Sequence, residues 1–418
     1  MPVTYRGRPI ATLDDVDVRG KRVLVRFDLN SPVDPSTRRI LDASRIEEAA
    51  RTLRELVERG AGVAILSHQG RPLEDDFISL EPHAELLSKA SGVYVEFVMD
   101  VVGAESARRL SRLSPGEVVL LDNSRIVSED YIEAPPEAHA RGLMVSRLSR
   151  FFDLYVNDAF SASHRSQASI VGFPLVIPGV AGRVLEGELR ALSRALEGGE
   201  RPRVFVVGGA KLSDAVDLVD YLTSSGAADE VLTTGLVALL FLKAMGRRLP
   251  QATERLVERK AKGKVRRAVE LIAEGRPVKV PLDFIVEEDG KVYISDASSL
   301  RGAPKDIGPS TIEYYRAKIA KARVVVIRGP AGVIEDPRFR RGTVELVRAA
   351  LASNAHVILG GGHFRAVLSE LGGEFKGGRV HVSTGGGALL QFLSGRPLPG
   401  LEALAESASR FKLVGGGL

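Results

Sequence analysis

An α/β protein of two Rossmann-like lobes, each a parallel β-sheet flanked by helices and joined by a hinge helix, is the fold class three observations predict. The chain has 418 residues, enough for two or three domains with their own cores at roughly 150 residues each. Short runs of Val, Ile and Leu alternate with helical periodicities along its whole length. Near the middle, an amphipathic stretch followed by EGGERPR separates two such halves.

The strands come in order. In the first half they are RVLVRF (Arg22–Phe27), GVAIL (Gly62–Leu66), VYVEFV (Val93–Val98), VVLL (Val118–Leu121) and LYV (Leu154–Val156). The second half has VFVV (Val204–Val207), VLTT (Val231–Thr234), VVVI (Val324–Ile327), HVIL (His356–Leu359) and RVHVS (Arg379–Ser383). Between them lie helical faces such as Ile46, Ala49, Ala50, Leu53, Leu56 and Val57, which recur every three to four residues. Strand and helix in alternation argue for parallel sheets. Residues 1–182 then form the first domain, 183–200 the linking helix and 201–402 the second domain.

Composition narrows the function. With 44% hydrophobic and 27% charged residues the chain is ordinary globular material. The longest apolar run, Leu236–Leu242, meets Lys243 far short of a membrane span. The first residues lack the apolar core of a signal peptide, so the expected compartment is the cytoplasm. There is no Cys, which removes disulfides, thiolate metal sites and thiol nucleophiles. The net charge of +5 is spread rather than tracked, so neither nucleic acid nor membrane is an expected partner.

The strands of the two halves end differently. In the second half they run into Gly208-Gly209, Gly235, Arg328-Gly329-Pro330, Gly360 to Gly362 and Gly385 to Gly387, most with a helical pattern following. Glycine turns that lead into helices let an anion approach backbone N–H groups. The second half therefore reads as a nucleotide site, although a single Gly-Gly pair marks a tight turn as readily as a ligand. First-half strands end in side-chain chemistry: Asp28-Leu29-Asn30, then Ser67-His68-Gln69-Gly70-Arg71, then Asp122 to Arg125, then Asn157-Asp158 ahead of His164 and Arg165. With Arg45 this gathers arginines suited to a small polyanion bearing hydroxyls. No GxxxxGK[ST] stretch is present, which weighs against a P-loop ATPase, and no GxGxxG fingerprint supports the alternative of a dinucleotide-dependent oxidoreductase.

These residues carry a family resemblance. KRVLVRFDLNSPVD (Lys21–Asp34), ILSHQGRP (Ile65–Pro72), VNDAFSASHR (Val156–Arg165), VGGAKLSD (Val207–Asp214), DIGPST (Asp306–Thr311), GPAGVIE (Gly329–Glu335) and the stretch from His381 to Leu404 resemble phosphoglycerate kinases, in that family's order and over nearly the whole chain. The resemblance implies reversible phosphoryl transfer from 1,3-bisphosphoglycerate to ADP, giving 3-phosphoglycerate and ATP with Mg²⁺ as cofactor, and hinge-bending closure. It implies a phosphoglycerate site at Asp28, Leu29, Asn30, Arg45, His68, Gln69, Gly70, Arg71, Arg125 and Arg165. It also implies a nucleotide site at Gly208, Gly209, Lys211, Glu335, Gly360, Gly361, Gly362 and His363. Arg45, Lys211, Gly385 and Gly386 are the implied catalytic groups, and the tail 403–418 is expected to pack back on the first domain. A monomer is expected, a homodimer being the alternative.

Four positions depart from the family pattern, one of them, Gln167 in place of a common histidine, with no consequence that the sequence supplies. His363 replaces the aspartate that commonly helps hold magnesium, as in archaeal members, and imidazole is a poor ligand for that hard ion. The metal is therefore expected on nucleotide phosphates and water rather than on the protein, with His363 donating to a phosphate. Ala215 stands where a second lysine is usual and Arg328 where an asparagine is, so one cation is lost and another gained. These changes also motivate a further alternative, a non-catalytic nucleotide-binding relative.

Overall fold

The computed structural model describes residues 3–372 and 378–414. The chain divides into two compact units, one of Met1–Arg190 with Pro397–Leu418 and one of Ala191–Arg396.

In the first unit a short hairpin, β1 (Val3–Tyr5) and β2 (Arg8–Ile10), precedes the sheet strands. These are β3 (Arg22–Arg26), β4 (Gly62–Leu66), β5 (Glu96–Val98), β6 (Val118–Leu121), β7 (Leu154–Asn157) and β8 (Gly179–Ala181). Helices α1 (Ser44–Glu58), α2 (Glu81–Ser91), α3 (Ala104–Ser111), α4 (Pro136–Ala140) and α5 (Leu143–Leu148) lie between them. The sheet order is β5-β6-β4-β3-β7-β8, and every pairing is parallel. All five residues of β4 are buried, as a strand covered on both faces requires. Helix α1 turns Ile46, Ala49, Ala50, Leu53 and Leu56 into the core, with Val57 partly covered at its edge.

The connecting helix α6 (Arg183–Glu197) starts on Asp158, whose Oδ1 accepts the N–H groups of Val184 and Leu185 at 2.8 and 3.1 Å. Arg183 in its first turn reaches Glu55, Asp14 and Glu186.

The second unit holds β9 (Arg203–Val207), α7 (Leu212–Ser224), β10 (Glu230–Thr233), α8 (Gly235–Ala244), α9 (Gln251–Ala261), α10 (Val265–Ala273) and β11 (Val278–Lys279). After a small sheet of β12 (Asp283–Glu288), β13 (Lys291–Asp296) and β14 (Ala303–Ile307) come α11 (Pro309–Lys321), β15 (Val324–Arg328) and α12 (Arg341–Ala352). The series ends with β16 (His356–Gly360), α13 (His363–Glu370), β17 (Val380–Ser383) and α14 (Gly387–Leu393). The main sheet runs β11-β10-β9-β15-β16-β17 and is again parallel throughout.

The small sheet is antiparallel, which the alternation of strands and helices did not indicate. Its signal is local. Asp289 and Gly290 both adopt positive φ, 49° and 74°, and close a two-residue hairpin between β12 and β13.

The chain then returns to the first unit. Helix α15 (Pro399–Arg410) places Glu402 and Glu406 on Arg8, while the Ser407 hydroxyl accepts the Gly179 N–H at 2.8 Å. Leu413 and Val414 pack against the first core. Residues 415–418 of the expected returning tail lie outside the described residues. Among the described residues no helix is long and apolar enough to cross a membrane.

Candidate active site

Strand order locates a site in each unit. In the first sheet β3 leads outward to β4 on one side while its neighbour β7 leads to β8 on the other. In the second, β9 leads to β10 and its neighbour β15 to β16, again in opposite directions. Open α/β sheets bind ligands in the crevice at the carboxyl ends of such diverging neighbours. The segments with the unusual chemistry follow β3, β4, β6 and β7 in the first sheet, and β9, β15, β16 and β17 in the second.

In the first unit Asp28 follows β3 and is gripped from two sides. Arg45 Nη1 donates to its Oδ2 at 2.5 Å and the Ser161 hydroxyl donates to the same oxygen. Asn30 turns its Oδ1 to the Gly70 N–H at 2.8 Å, and the Gly70 carbonyl accepts from Arg125. Arg125 is buried, its guanidinium 5.8 Å from the centre of the Tyr131 ring, and its Nε finds no protein partner. His68 is buried, with Nδ1 2.8 Å from Arg26. Burial, then the charges of Arg26, Arg165 and Arg45, push its pKa well below the usual imidazole value.

Arg165 is half-buried and its guanidinium makes no hydrogen bond among the described residues. Burial and the neighbouring cations Arg26 and Arg71 depress its pKa, with Asp28 opposing them. The structure thus gathers Asp28, Asn30, Arg45, His68, Gly70, Arg125 and Arg165. Arg71 is exposed beside Glu74 at 3.8 Å. Two neighbours in the same motifs do other work. Leu29 is a core residue with its N–H on Ser67 and its carbonyl on Ser31. Gln69 is buried and braces the loop through Ser31, Asp76 and His83.

In the second unit the glycine turns divide into two kinds. The N–H groups of Gly208 and Gly209 bond to the carbonyls of Arg328 and Pro330 at 2.8 and 3.0 Å, so these amides join two turns together. A Cβ on Gly208 would stand 2.5 Å from Pro330 O and closer still to Thr234 Oγ1. Gly362 is the opposite case. Its φ and ψ are −59° and −29°, an ordinary helical pair, and nothing lies within 4 Å of where its Cβ would be. It opens α13, whose first N–H groups have no partner inside the helix. Gly360 is packed under Leu389, and Gly361 needs its freedom at φ 135°. Gly386, at φ 49°, precedes α14, and the Gly385 N–H donates to Ser383 at 3.1 Å.

Lys211 caps α7, exposed, with no bond to its ammonium among the described residues. A cavity of about 520 Å³ opens beside these turns, floored by Leu236, Leu239, Leu256 and Phe284, with Glu335 and His363 in its lining. His363 Nε2 stands 3.7 Å from Glu335 Oε1. Arg328 ends β15 half-buried, with no hydrogen bond from its guanidinium among the described residues; burial lowers its pKa and Asp214 opposes.

These donors do not form an all-protein metal cage, and magnesium, which usually takes one or two carboxylates together with substrate phosphates and water, would have Glu335 as the carboxylate nearest His363. No group of three or more His, Asp or Glu that could hold a metal occurs among the described residues. Asp306 lines the cavity, but its oxygens accept the N–H groups of Ile307 and Gly342 at 2.9 and 2.7 Å, and burial pushes its pKa up to about 7.

Sequence reasoning passed over Arg26 and Ser161. Arg26 did leave a signal, a charge inside the buried run RVLVRF.

Comparison with known proteins identifies the family and the fold. A profile of the phosphoglycerate kinase family matches residues 13–396. The chain is 64% identical to the phosphoglycerate kinase of Aeropyrum pernix, over 99% of this chain and 100% of that one. It is 46% identical to the Sulfurisphaera tokodaii phosphoglycerate kinase, over 95% and 96%. The crystal structure of phosphoglycerate kinase from Pyrococcus horikoshii superposes with a TM-score of 0.87 at 37% identity, covering 96% of this chain and 100% of that one.

Proposed function

The chain belongs to the phosphoglycerate kinase family and transfers a phosphoryl group between 1,3-bisphosphoglycerate and ADP in glycolysis; from that premise we propose how its residues divide the work. The first unit holds 3-phosphoglycerate or its bisphosphate, with Arg125, Arg165, Arg71 and His68 on the anionic groups and Asp28 and Asn30 on the hydroxyl. The second holds ADP or ATP, with the base in the apolar cavity, the ribose at Glu335, and the phosphates at Gly360 to Gly362, His363 and Lys211.

Phosphoryl transfer asks little covalent help; it needs the donor and acceptor oxygens in line and charge stabilised on the equatorial oxygens. Arg45 and Lys211 supply cations for this, joined by the Gly386 amide, while Gly385, whose N–H is held by Ser383, shapes the turn. Asp28 keeps Arg45 in one orientation until substrate arrives. Bending at α6 would bring the substrates into line and exclude water that would hydrolyse the acyl phosphate. Magnesium belongs to the nucleotide, held by its phosphates and water. The enzyme is proposed to act as a cytoplasmic monomer on these small anions.

The observation that supports this reading most is the contrast between the two sheets' strand ends: guanidinium groups follow β3, β4, β6 and β7 in the first, while glycine turns at helix starts and an apolar cavity adjoin the strands of the second. Steady-state kinetics of Arg165→Met and Lys211→Met test it. The first should raise KM for 3-phosphoglycerate and leave KM for ATP unchanged, and the second should act on the nucleotide side and on kcat. A double Arg45→Met, Lys211→Met variant that turned over at full speed would overturn the reading.

A further inference from the structure

Arg26 is fully buried at the end of β3, and no carboxylate pairs with it among the described residues. Its guanidinium donates to Ser169 Oγ at 2.8 Å, to the Phe27 carbonyl and to His68 Nδ1 at 2.8 Å. Ser169 is itself fixed: its N–H donates to Asp130 at 2.9 Å and its carbonyl accepts from Tyr155 at 2.6 Å. Asp130 in turn accepts from Ser124, the residue before Arg125. This framework holds one guanidinium edge against one ring nitrogen.

Every guanidinium nitrogen is a donor and none accepts. His68 Nδ1 must therefore be the unprotonated, accepting nitrogen, and the ring proton resides on Nε2. Nε2 bonds to no protein group among the described residues. We infer that Arg26 is a positioning residue that locks His68 as its neutral Nε2–H tautomer, so that the ring offers the substrate's anionic groups a fixed hydrogen-bond donor. The surroundings work in the same direction: the charged and titratable groups that act most strongly on the ring are Arg26 on β3, Arg165 after β7, Arg45 on α1 and His83 on α2, and each disfavours a second proton. A second proton would meet three cations in a dry site.

The inference rests on His68 facing the glycerate, and the experiment separates the two. Histidine ¹⁵N spectra of the full-length enzyme should show His68 Nδ1 with the shift of an unprotonated nitrogen and Nε2 with that of an N–H, both unchanged from about pH 5 to about pH 8. A proton on Nδ1, or a titration within that range, overturns the role of Arg26. Kinetics supply the second readout. Arg26→Met should raise KM for 3-phosphoglycerate roughly tenfold, the scale of one hydrogen bond to a charged group, and the same change made in a His68→Ala background should have no further effect on KM. Equal effects in both backgrounds would make Arg26 merely structural. His68→Ala with an unchanged KM would instead refute the placement of His68 at the substrate. Should Arg26→Met fail to fold, the wild-type spectra still decide.

Discussion

Gly362→Ala separates a glycine kept for the fold from one kept for a ligand. The backbone at 362 is helical and the space around its missing Cβ is empty, so alanine costs the protein nothing. Restricting the unfolded chain should instead stabilise it by about 0.4–1 kcal/mol. For a unit of this size that is a rise in Tm of roughly 1–4 °C. The same methyl would occupy the space through which a phosphate approaches the open amides at the start of α13. Losing one hydrogen bond to a charged oxygen costs about 1.5–3 kcal/mol, so the Kd for ADP should rise roughly 10- to 100-fold. Gly208→Ala is the counterpart. There the methyl meets Pro330 O at 2.5 Å, and overpacking of that kind costs about 1–3 kcal/mol, seen as a fall in Tm. Scanning and titration calorimetry on the whole enzyme read both quantities. An unchanged ADP affinity in Gly362→Ala would refute the assignment of this turn to the phosphates, and a fall in Tm would show that the fold itself needs the glycine.

Arg45→Met should lower kcat by about 10³ while the thermal transition and KM for ATP hold, as measured in a coupled assay. Arg328→Gln should raise KM for ADP severalfold if its unpaired guanidinium meets the nucleotide phosphates; unchanged kinetics would leave it an arginine without a part in the reaction. Arg165→Met removes a half-buried cation with no hydrogen bond, so it should raise the Tm of the free enzyme while abolishing the thermal shift produced by 3-phosphoglycerate. Asp158 is buried and its pKa is pushed up to about 7, chiefly by burial, which makes Asp158→Asn a test of linkage. The folded state holds the proton more tightly than the unfolded one, so this group's stabilisation is complete below about pH 4 and lost as pH rises through about 7. The variant, whose amide oxygen can still cap α6, should gain up to roughly 4 kcal/mol over the parent above pH 7 and nothing at low pH; urea melts at several pH values check this.

The parallel sheets were legible because strands covered on both faces must be unbroken runs of Val, Ile and Leu, as GVAIL and VFVV are. The antiparallel sheet was not, because its strands are half-exposed and carry charges, and only Asp289-Gly290 announced the hairpin. For the site, residue type and place in a motif gave the neighbourhood without the direction of each side chain. Asn30 and Leu29 are adjacent in the chain, yet one reaches Gly70 across the crevice and the other fills the core. Gln69 is committed to Ser31, Asp76 and His83, which come from separate segments, so its bracing part follows only from tertiary structure. Gly208 and Gly362 read alike as strand-end glycines. What distinguishes them is whether another turn lies against the missing side chain, and that depends on residues 329 and 330, more than a hundred positions from Gly208.

With the substrates divided as proposed, the two units would address anions by different physics, and the difference has a consequence for conditions. In the first, Arg26 and Arg125 are buried and satisfied in part by neutral acceptors, Arg165 is half-buried with no hydrogen bond from its guanidinium among the described residues, and Asp28 is the carboxylate bonded to Arg45. Such a site is unfavourable when empty and gains when a polyanion supplies the missing counter-charge, so ligand binding and unit stability are coupled: at a hundredfold excess over Kd the gain is about 2.7 kcal/mol. In the second unit Lys211 and Arg328 are the full charges near the turns, and the apolar cavity and helix-start amides add contacts that carry partial charge or none, so a smaller share of binding there rests on ionic attraction. Because full charges are screened by salt while apolar burial is not, raising ionic strength should weaken 3-phosphoglycerate more steeply than ATP. An arginine cluster that must stay preorganised without its ligand therefore needs a rigid frame, which the Ser169, Asp130 and Tyr155 network behind Arg26 supplies.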